Sequence, residues 1–526
     1  MKLLISDSLS EEGVKILKEV KGLQVDINTG LKPDELKKII KDYEVIVVRS
    51  ATKLTADVLK EAVKLKYIGR AGVGLDNVDV EAATKQGIIV MNAPGGNTIS
   101  TAEHTVSMIL ALSRNIPQAN ASTKLGEWKR KQFMGAEVYG KILGIVGLGK
   151  IGSEVAKRAL AFGMKVVAYD PFISLEVAKQ LGVEIAELND VFSRADYLTV
   201  HTPLSEETKH MISDKELQLM KQGVKVINCA RGGIVDEEAL ARAVESGKVS
   251  GCAIDVFEHE PPGESPLLKF DCVIVTPHLG ASTEEAQVNV AIEIANTLKD
   301  ALAGKGIRNA ANYPCIESEV CEILNPYINL AEKMGMLVCQ LFDGRIQEIT
   351  ITYSGQISEL KTEPLTIAVV KGILTPIVRE MVNYVNALSL AKERGIKVQV
   401  SKSTTEEEFV NLVSVKVATG KKSFLVFGTL SSNNQPRIVK INDFYVEVRP
   451  EGHMIFLRNW DRPGVIGSLG TILGKNNINV ASMTFGRKEA GGEALSVFNV
   501  DSPVSAKILE EIQKAKDIKS VKVIKL

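Results

Sequence analysis

Short apolar runs separated by amphipathic stretches dominate the first part of the chain. Residues 3–5, 45–48, 67–68 and 88–91 are compact apolar runs, and 11–19 and 34–41 between them space apolar positions as a helix does. This alternation predicts right-handed βαβ units on a parallel sheet. Gly95-Gly96-Asn97 breaks the pattern, and a long helix is expected from about Ser100, with Ser100 and Glu103 in the positions of a capping box. A second unit starts near Lys141, with strands expected at 142–146, 166–169, 197–200, 224–227, 251–254 and 273–275. After Pro277-His278 another long helix is expected from about 283 to 303. The two long helices are expected to bridge two domains, the chain returning to the first at its end.

Residues 304–314 read as a connection, and the pattern then changes to an α+β region that runs to about 450. Residues 398–417 and 423–448 are rich in β-branched side chains and carry no chemical motif. Lys421, Lys422 and Arg437 could hold an anion there, but a solvated face is the simpler reading. The last segment predicts strands at 453–457, 478–485, 493–500 and 521–526, with helices at 463–475 and 505–514. That order is βαββαβ, the ferredoxin-like plan.

Composition narrows the class. A chain of 526 residues implies more than one domain. Hydrophobic residues at 45% and charged residues at 24% are ordinary for a soluble protein. Lys+Arg and Asp+Glu are 64 each, so nothing points to a nucleic-acid or membrane surface. The six cysteines form no CxxC pair, and Cys315 and Cys321 lack a second Cys/His pair to complete a zinc site. They read as free thiols of a reducing compartment, with no metal. The N-terminus reaches Asp7 too soon for a signal-peptide core, and no apolar run approaches the roughly 20 residues of a membrane span. A cytoplasmic protein is expected.

The first chemical motif is Gly147-Leu148-Gly149-Lys150-Ile151-Gly152, between an expected strand and an expected helix. Its glycines allow a tight turn, close backbone approach to a pyrophosphate, and close helix–strand packing. The helix N-terminus offers N–H donors and a favourable dipole. Asp170 ends the next strand, where an acid accepts both ribose hydroxyls and repels a 2′-phosphate. NAD is therefore expected rather than NADP.

Of the six histidines, His278 stands apart. It follows a strand and a proline, at the strand end where open α/β sheets bind ligands. His201 also ends a strand and suits the wall of a nucleotide cleft, whereas His104 reads as a packed or capping residue of the long helix. Oxidising a 2-hydroxy acid requires a base for the hydroxyl proton, a cation for the carboxylate, and a carboxylate to orient the base. Arg231 and Glu260 lie after two preceding strands. Singly, each has a plainer reading: Arg231 a surface ion pair, Glu260 a solvated loop acid, His278 a hydrogen-bonded ring. Three in successive strand–loop units behind a dinucleotide loop point to hydride transfer.

Together with Val48-Arg49-Ser50-Ala51-Thr52-Lys53, the stretch 69–78, 228–233, 255–262 and 277–282, these motifs resemble the D-2-hydroxyacid dehydrogenases along the whole chain. The C-terminal segment resembles an ACT domain, and the region before it an intervening, allosteric-substrate-binding domain. The resemblance implies an α/β protein: two Rossmann/flavodoxin-like parallel-sheet domains (1–96 with 283–314 for substrate, 97–282 for NAD), an α+β intervening domain (315–451) and an ACT domain (452–526). It implies Arg231, Glu260 and His278 as the catalytic set. By the same match Gly147, Gly149, Lys150, Ile151, Gly152, Asp170, Thr202, Cys229, Ala230, Arg231, Asp255, His278, Leu279, Gly280 and Ala281 surround NAD. Arg49, Ser50, Arg70 and Asn97 match substrate positions, and Arg130 one that reaches a neighbouring subunit. The implied reaction is oxidation of 3-phosphoglycerate to 3-phosphohydroxypyruvate, the entry to serine biosynthesis, by a tetramer. The ACT segment implies either an L-serine effector at Asn459, Asp461 and Asn479, with Asn459 where some relatives have His, or an assembly domain with no effector. Two alternatives stay open on the residues: a dehydrogenase of another 2-hydroxy acid, of the 2-hydroxyglutarate or glyoxylate type, and a non-catalytic NAD-sensing protein.

Overall fold

The computed structural model describes residues 1–314, 318–378, 382–403, 409–420 and 422–526. Four sheets organise them. The first is all parallel, in the order Gln24–Ile27, Lys2–Ile5, Val45–Val48, Tyr67–Arg70, Ile89–Asn92. Its central strand Val45–Val48 is buried along its length, as a parallel sheet covered on both faces requires. Gln24–Ile27 had no counterpart among the expected strands, because an edge strand of alternating polar residues carries no apolar run.

The second sheet is also parallel, in the order Val273–Val275, Val249–Ile254, Val224–Asn228, Tyr197–Val200, Ile142–Val146, Lys165–Tyr169, Glu184–Ile185. The strand order reverses between Ile142–Val146 and Tyr197–Val200, which opens a crevice at their C-terminal ends. The helix after the break runs Thr98–Arg114 with Asn97 at its N-cap. Ser100 is therefore not a cap. It lies inside the first turn and donates its hydroxyl to the Gly280 carbonyl at 2.8 Å, a tertiary bond that local spacing does not reveal. The second long helix, Glu284–Leu302, is capped by the Thr283 hydroxyl on the Ala286 N–H. It packs so closely on Glu11–Lys18 that a Cβ at Gly13 would lie 2.8 Å from the Ala291 Cβ. The chain then returns to the first sheet, where Asn92 N–H donates to Asn309 O and Val90 N–H to the Asn312 side chain.

The third sheet is mixed, in the order Lys397–Ser403, Glu348–Gly355, Asn411–Ala418, Ser423–Leu430, Pro436–Ile441, Phe444–Val448. Helices Ser318–Leu341 and Glu363–Leu374 share its core. Arg437 is engaged by the Pro436 carbonyl and lies 3.8 Å from Glu447, while Lys421, Cys315 and the side chain of Cys321 lie outside the described residues. The fourth sheet is antiparallel, in the order Val480–Arg487, Glu493–Val500, His453–Trp460, Ile518–Lys525, with helices Val465–Lys475 and Ala506–Gln513. That is the ferredoxin-like arrangement. No helix among the described residues is long and apolar enough to cross a membrane.

Candidate active site

The crevice of the second sheet begins at the glycine loop. Gly147 sits at φ 93°, a left-handed conformation that favours glycine. A Cβ on Gly152 would lie 2.1 Å from the Gly147 carbonyl oxygen, so only glycine lets helix Lys150–Ala161 start this close to the loop. Gly149 differs: its φ is −69° and no atom lies within 4 Å of a Cβ built there. Its face of the loop is bare backbone on open space. Asp170 closes the loop, accepting from Leu148 N at 2.8 Å through one oxygen and from Phe172 N (2.8 Å) and Ile173 N (3.2 Å) through the other.

A cavity of about 580 Å³ continues from this loop. Of the residues expected around a nucleotide or substrate, Asn97, Ile151, Thr202, Cys229, Ala230, Arg231, Asp255, His278, Gly280 and Ala281 line it. Asn97 Oδ1 and Thr202 Oγ1 are buried there with no partner among the described residues. Buried polar atoms are normally paired, so the wall presents hydrogen-bonding capacity to whatever fills the space. Bare glycine backbone at a helix N-terminus, next to unpaired polar atoms, fits a dinucleotide. His201 also lines the cavity, and burial pulls its pKa down to about 4, so its ring is neutral. Cys229 is buried, its thiol pushed up to about 12 first by burial and then by the nearby Asp255.

Strand ends bring the three candidate reacting groups together. His278 Nδ1 lies 2.9 Å from Glu260 Oε2, and Glu260 Oε1 accepts from Phe257 N at 3.2 Å. His278 has φ 55° and its own N–H donates to the Asp255 carbonyl at 2.8 Å. A left-handed non-glycine residue is uncommon and is held here by its surroundings. Arg231 donates to the Ala230 carbonyl at 2.7 Å, and its Nε lies 3.3 Å from Asp76. Asp76 comes from the loop after Tyr67–Arg70, so this ion pair crosses from the first sheet to the second. It escaped the sequence reading because no local spacing links residues so far apart.

Other expected residues surround this centre. Arg70 Nε is buried with no partner among the described residues. Burial, then the charges of Arg231 and Arg49, bring its pKa down to about 10, against the opposing pull of Asp76 and Asp7, so it remains a cation at neutral pH. Arg49 and Ser50 sit on a turn that Asp7 and Asn77 brace: Asp7 accepts from Arg49 N at 2.6 Å and Thr52 N at 3.1 Å, and the Asn77 amide donates to the carbonyls of Arg49 and Thr52. Lys150 begins the helix after the loop and is exposed. Leu279 N–H is bound to Asp255 at 2.7 Å. Arg130 is not at the cavity. It belongs to an exposed arm on which Trp128 is 80% and Met134 78% accessible.

At the fourth sheet, Asp461 pairs with Arg487 at 2.7 Å, and the Asn479 amide donates to Asp501 at 2.6 Å. Asn459 does not join them. It is fully buried, with its amide N–H on Trp460 O and its oxygen accepting from Ser496.

Three family models match stretches of the chain. Residues 106–280 match the NAD binding domain of D-isomer specific 2-hydroxyacid dehydrogenases, 323–442 the D-3-phosphoglycerate dehydrogenase intervening domain, and 453–517 the ACT domain. A D-3-phosphoglycerate dehydrogenase of Synechocystis sp. is 47% identical over all of this chain and 95% of its own length. That of Methanocaldococcus jannaschii is also 47% identical, over all of both chains. The chain belongs to the D-3-phosphoglycerate dehydrogenase family. Among solved structures, a D-lactate dehydrogenase of Aquifex aeolicus complexed with NAD and lactic acid covers 58% of this chain and 96% of its own, at 34% identity and a TM-score of 0.50. The TT0316 protein of Thermus thermophilus covers 59% of this chain and all of its own, at 33% identity and a TM-score of 0.54.

Proposed function

We propose that this protein oxidises 3-phosphoglycerate to 3-phosphohydroxypyruvate with NAD, the first step of L-serine biosynthesis. The observation that carries the chemistry is the 2.9 Å contact between His278 Nδ1 and Glu260 beside the cavity that Arg231 and His278 share. Glu260 engages Nδ1 and thereby leaves Nε2 as the atom that takes the hydroxyl proton. Arg231 keeps the carboxylate beside the reacting carbon and stabilises the oxyanion as the carbonyl forms. NAD, when bound, would supply the hydride acceptor. Gly147–Gly152 would hold its diphosphate, Asp170 its ribose, and Asp255, Cys229 and residues 278–281 its nicotinamide end. A substrate with a carboxylate and a phosphate needs two cationic poles. Arg231 serves the first and Arg49 with Arg70 the second, while Ser50 and Asn97 add neutral hydrogen-bonding groups for the substrate.

In this reading residues 1–96 and 283–314 hold the substrate, 97–282 the NAD, and 315–451 and 452–526 are regulatory. L-serine binds at Asp461 and Asn479, with Asn459 supporting the strand from within. The exposed Trp128–Met134 arm, carrying Arg130, supports assembly into a tetramer, because the large apolar side chains of Trp128 and Met134 stand exposed on it beside three cations. The protein works in the cytoplasm.

The test is a substrate panel with NADH, repeated with L-serine. 3-Phosphohydroxypyruvate should turn over far faster than 2-oxoglutarate or glyoxylate. Equal rates would remove the phosphate-recognition claim. H278A should abolish most turnover and leave NADH affinity near that of the wild type, whereas an NAD sensor would show negligible turnover before any substitution.

A further inference from the structure

His104 lies on the hinge helix Thr98–Arg114, and nothing above gives it a role in the reaction. Its Nε2 is 3.2 Å from Thr276 Oγ1 and 3.2 Å from Asp255 Oδ1. The Thr276 hydroxyl donates its single proton to Asp255 Oδ1, at 2.5 Å. Thr276 therefore only accepts from His104, which assigns a proton to His104 Nε2. Asp255 is fully buried and also accepts from Leu279 N (2.7 Å) and Gly280 N (2.9 Å). Burial pushes its carboxyl up, but the donors His104, Thr276, Leu279 and Gly280 outweigh burial and hold it below the usual carboxylate range. The same helix reaches this turn twice more, since Ser100 and Thr101 donate to Gly280 O at 2.8 and 3.2 Å.

We infer that His104 is a positioning residue for hydride transfer: its Nε2–H ties Asp255 and Thr276 to the hinge helix and so fixes the turn that carries His278. The inference rests on the reading of His278 as the base and of Asp255 as a contact of the nicotinamide end. His104 is not among the residues that line the cavity. It acts through a carboxylate that is useful only while ionised, because only then does it accept four donors at once and hold the backbone of Leu279 and Gly280. The groups facing Asp255 are His104 from the helix, Thr276 and the 278–280 turn from one side, and the Cys229 thiol from a neighbouring strand end.

Removal of this donor frees Asp255 and Thr276 from the helix and loosens the turn that carries His278. H104F should lower kcat about tenfold while the KM for the 2-hydroxy acid stays within about twofold of wild type. H104Q, whose amide N–H can replace the lost donor, should return kcat to within about threefold of wild type. Equal losses of kcat in both variants, or a loss in H104F that appears in KM instead of kcat, overturns the inference and leaves His104 a packing residue. Should H104F fail to fold, H104A decides: free imidazole should restore its turnover, and absence of rescue counts against the role. H278A separates this from the parent reading. If H278A keeps turnover, the catalytic assignment fails, whereas an H104F result alone bears only on the hinge contact.

Discussion

Two glycines of one loop should fail in opposite ways when each receives a methyl group. At Gly152 the new Cβ would lie 2.1 Å from the Gly147 carbonyl oxygen, where ordinary contact begins at 3.4 Å. The obstacle is backbone, so helix and loop must part by roughly 1 Å, an overpacking that typically costs about 1–3 kcal/mol. For a unit of this size that lowers the apo melting transition by roughly 3–10 °C. At Gly149 no atom lies within 4 Å of the new Cβ and φ is −69°, so the free protein should melt roughly 1–3 °C above wild type, the chain losing freedom only when unfolded. The methyl group instead occupies the space through which a diphosphate approaches the helix N-terminus. G149A should weaken NADH binding about 10- to 100-fold, equivalent to about 1.4–2.7 kcal/mol. Calorimetry of the apo variants and fluorescence titration with NADH read the two effects separately. G149A binding NADH as tightly as wild type, or G152A melting unchanged, would refute the reasoning.

Three further expectations use other residues. D170S should erode selectivity for NADH over NADPH by at least tenfold in kcat/KM, and should lower the melting temperature because one hydroxyl cannot replace the two carboxylate oxygens that accept from the N–H groups of Leu148, Phe172 and Ile173. His201 has its pKa lowered to about 4 by burial, so its neutral form stabilises the fold above the unfolded-state value near 6.5, and this contribution fades as pH falls toward 4. It amounts to at most about 3 kcal/mol, less where cavity water screens the ring. Urea melts of wild type and H201Q between pH 4 and 7 should show a shallower slope in the variant. E260Q should reduce kcat about 10- to 100-fold without changing the NADH dissociation constant, because it removes the carboxylate on His278 Nδ1 and nothing at the glycine loop. A change confined to NADH affinity would count against that assignment.

Much of this protein is written locally. Apolar runs at 45–48 and 142–146 report buried parallel strands, because such strands are covered on both faces and need no polar alternation. The spacing of Gly147, Gly149 and Gly152, with Asp170 ending the next strand, marks a candidate nucleotide loop, because the glycine requirements for φ and close approach fall within a few residues. The reach of His278, Glu260 and Arg231 was legible as three strand ends in succession. The sequence could not supply what depends on chain segments meeting across space. Ser100 reads as a cap and instead binds Gly280. His104 reads as a packed residue and instead anchors Asp255 and Thr276. Asp76 has no motif, yet it lies across the cleft from Arg231 at 3.3 Å. Asn459 looks like a member of a ligand cluster until the sheet turns it inward against Ser496. Local periodicity and glycine spacing therefore determined the elements and the candidate loop, because their constraints act between near neighbours. Only the tertiary structure decided which buried polar groups are spent on each other and which face the cavity, because hydrogen bonding over such separations is set by how sheets and hinge helices pack.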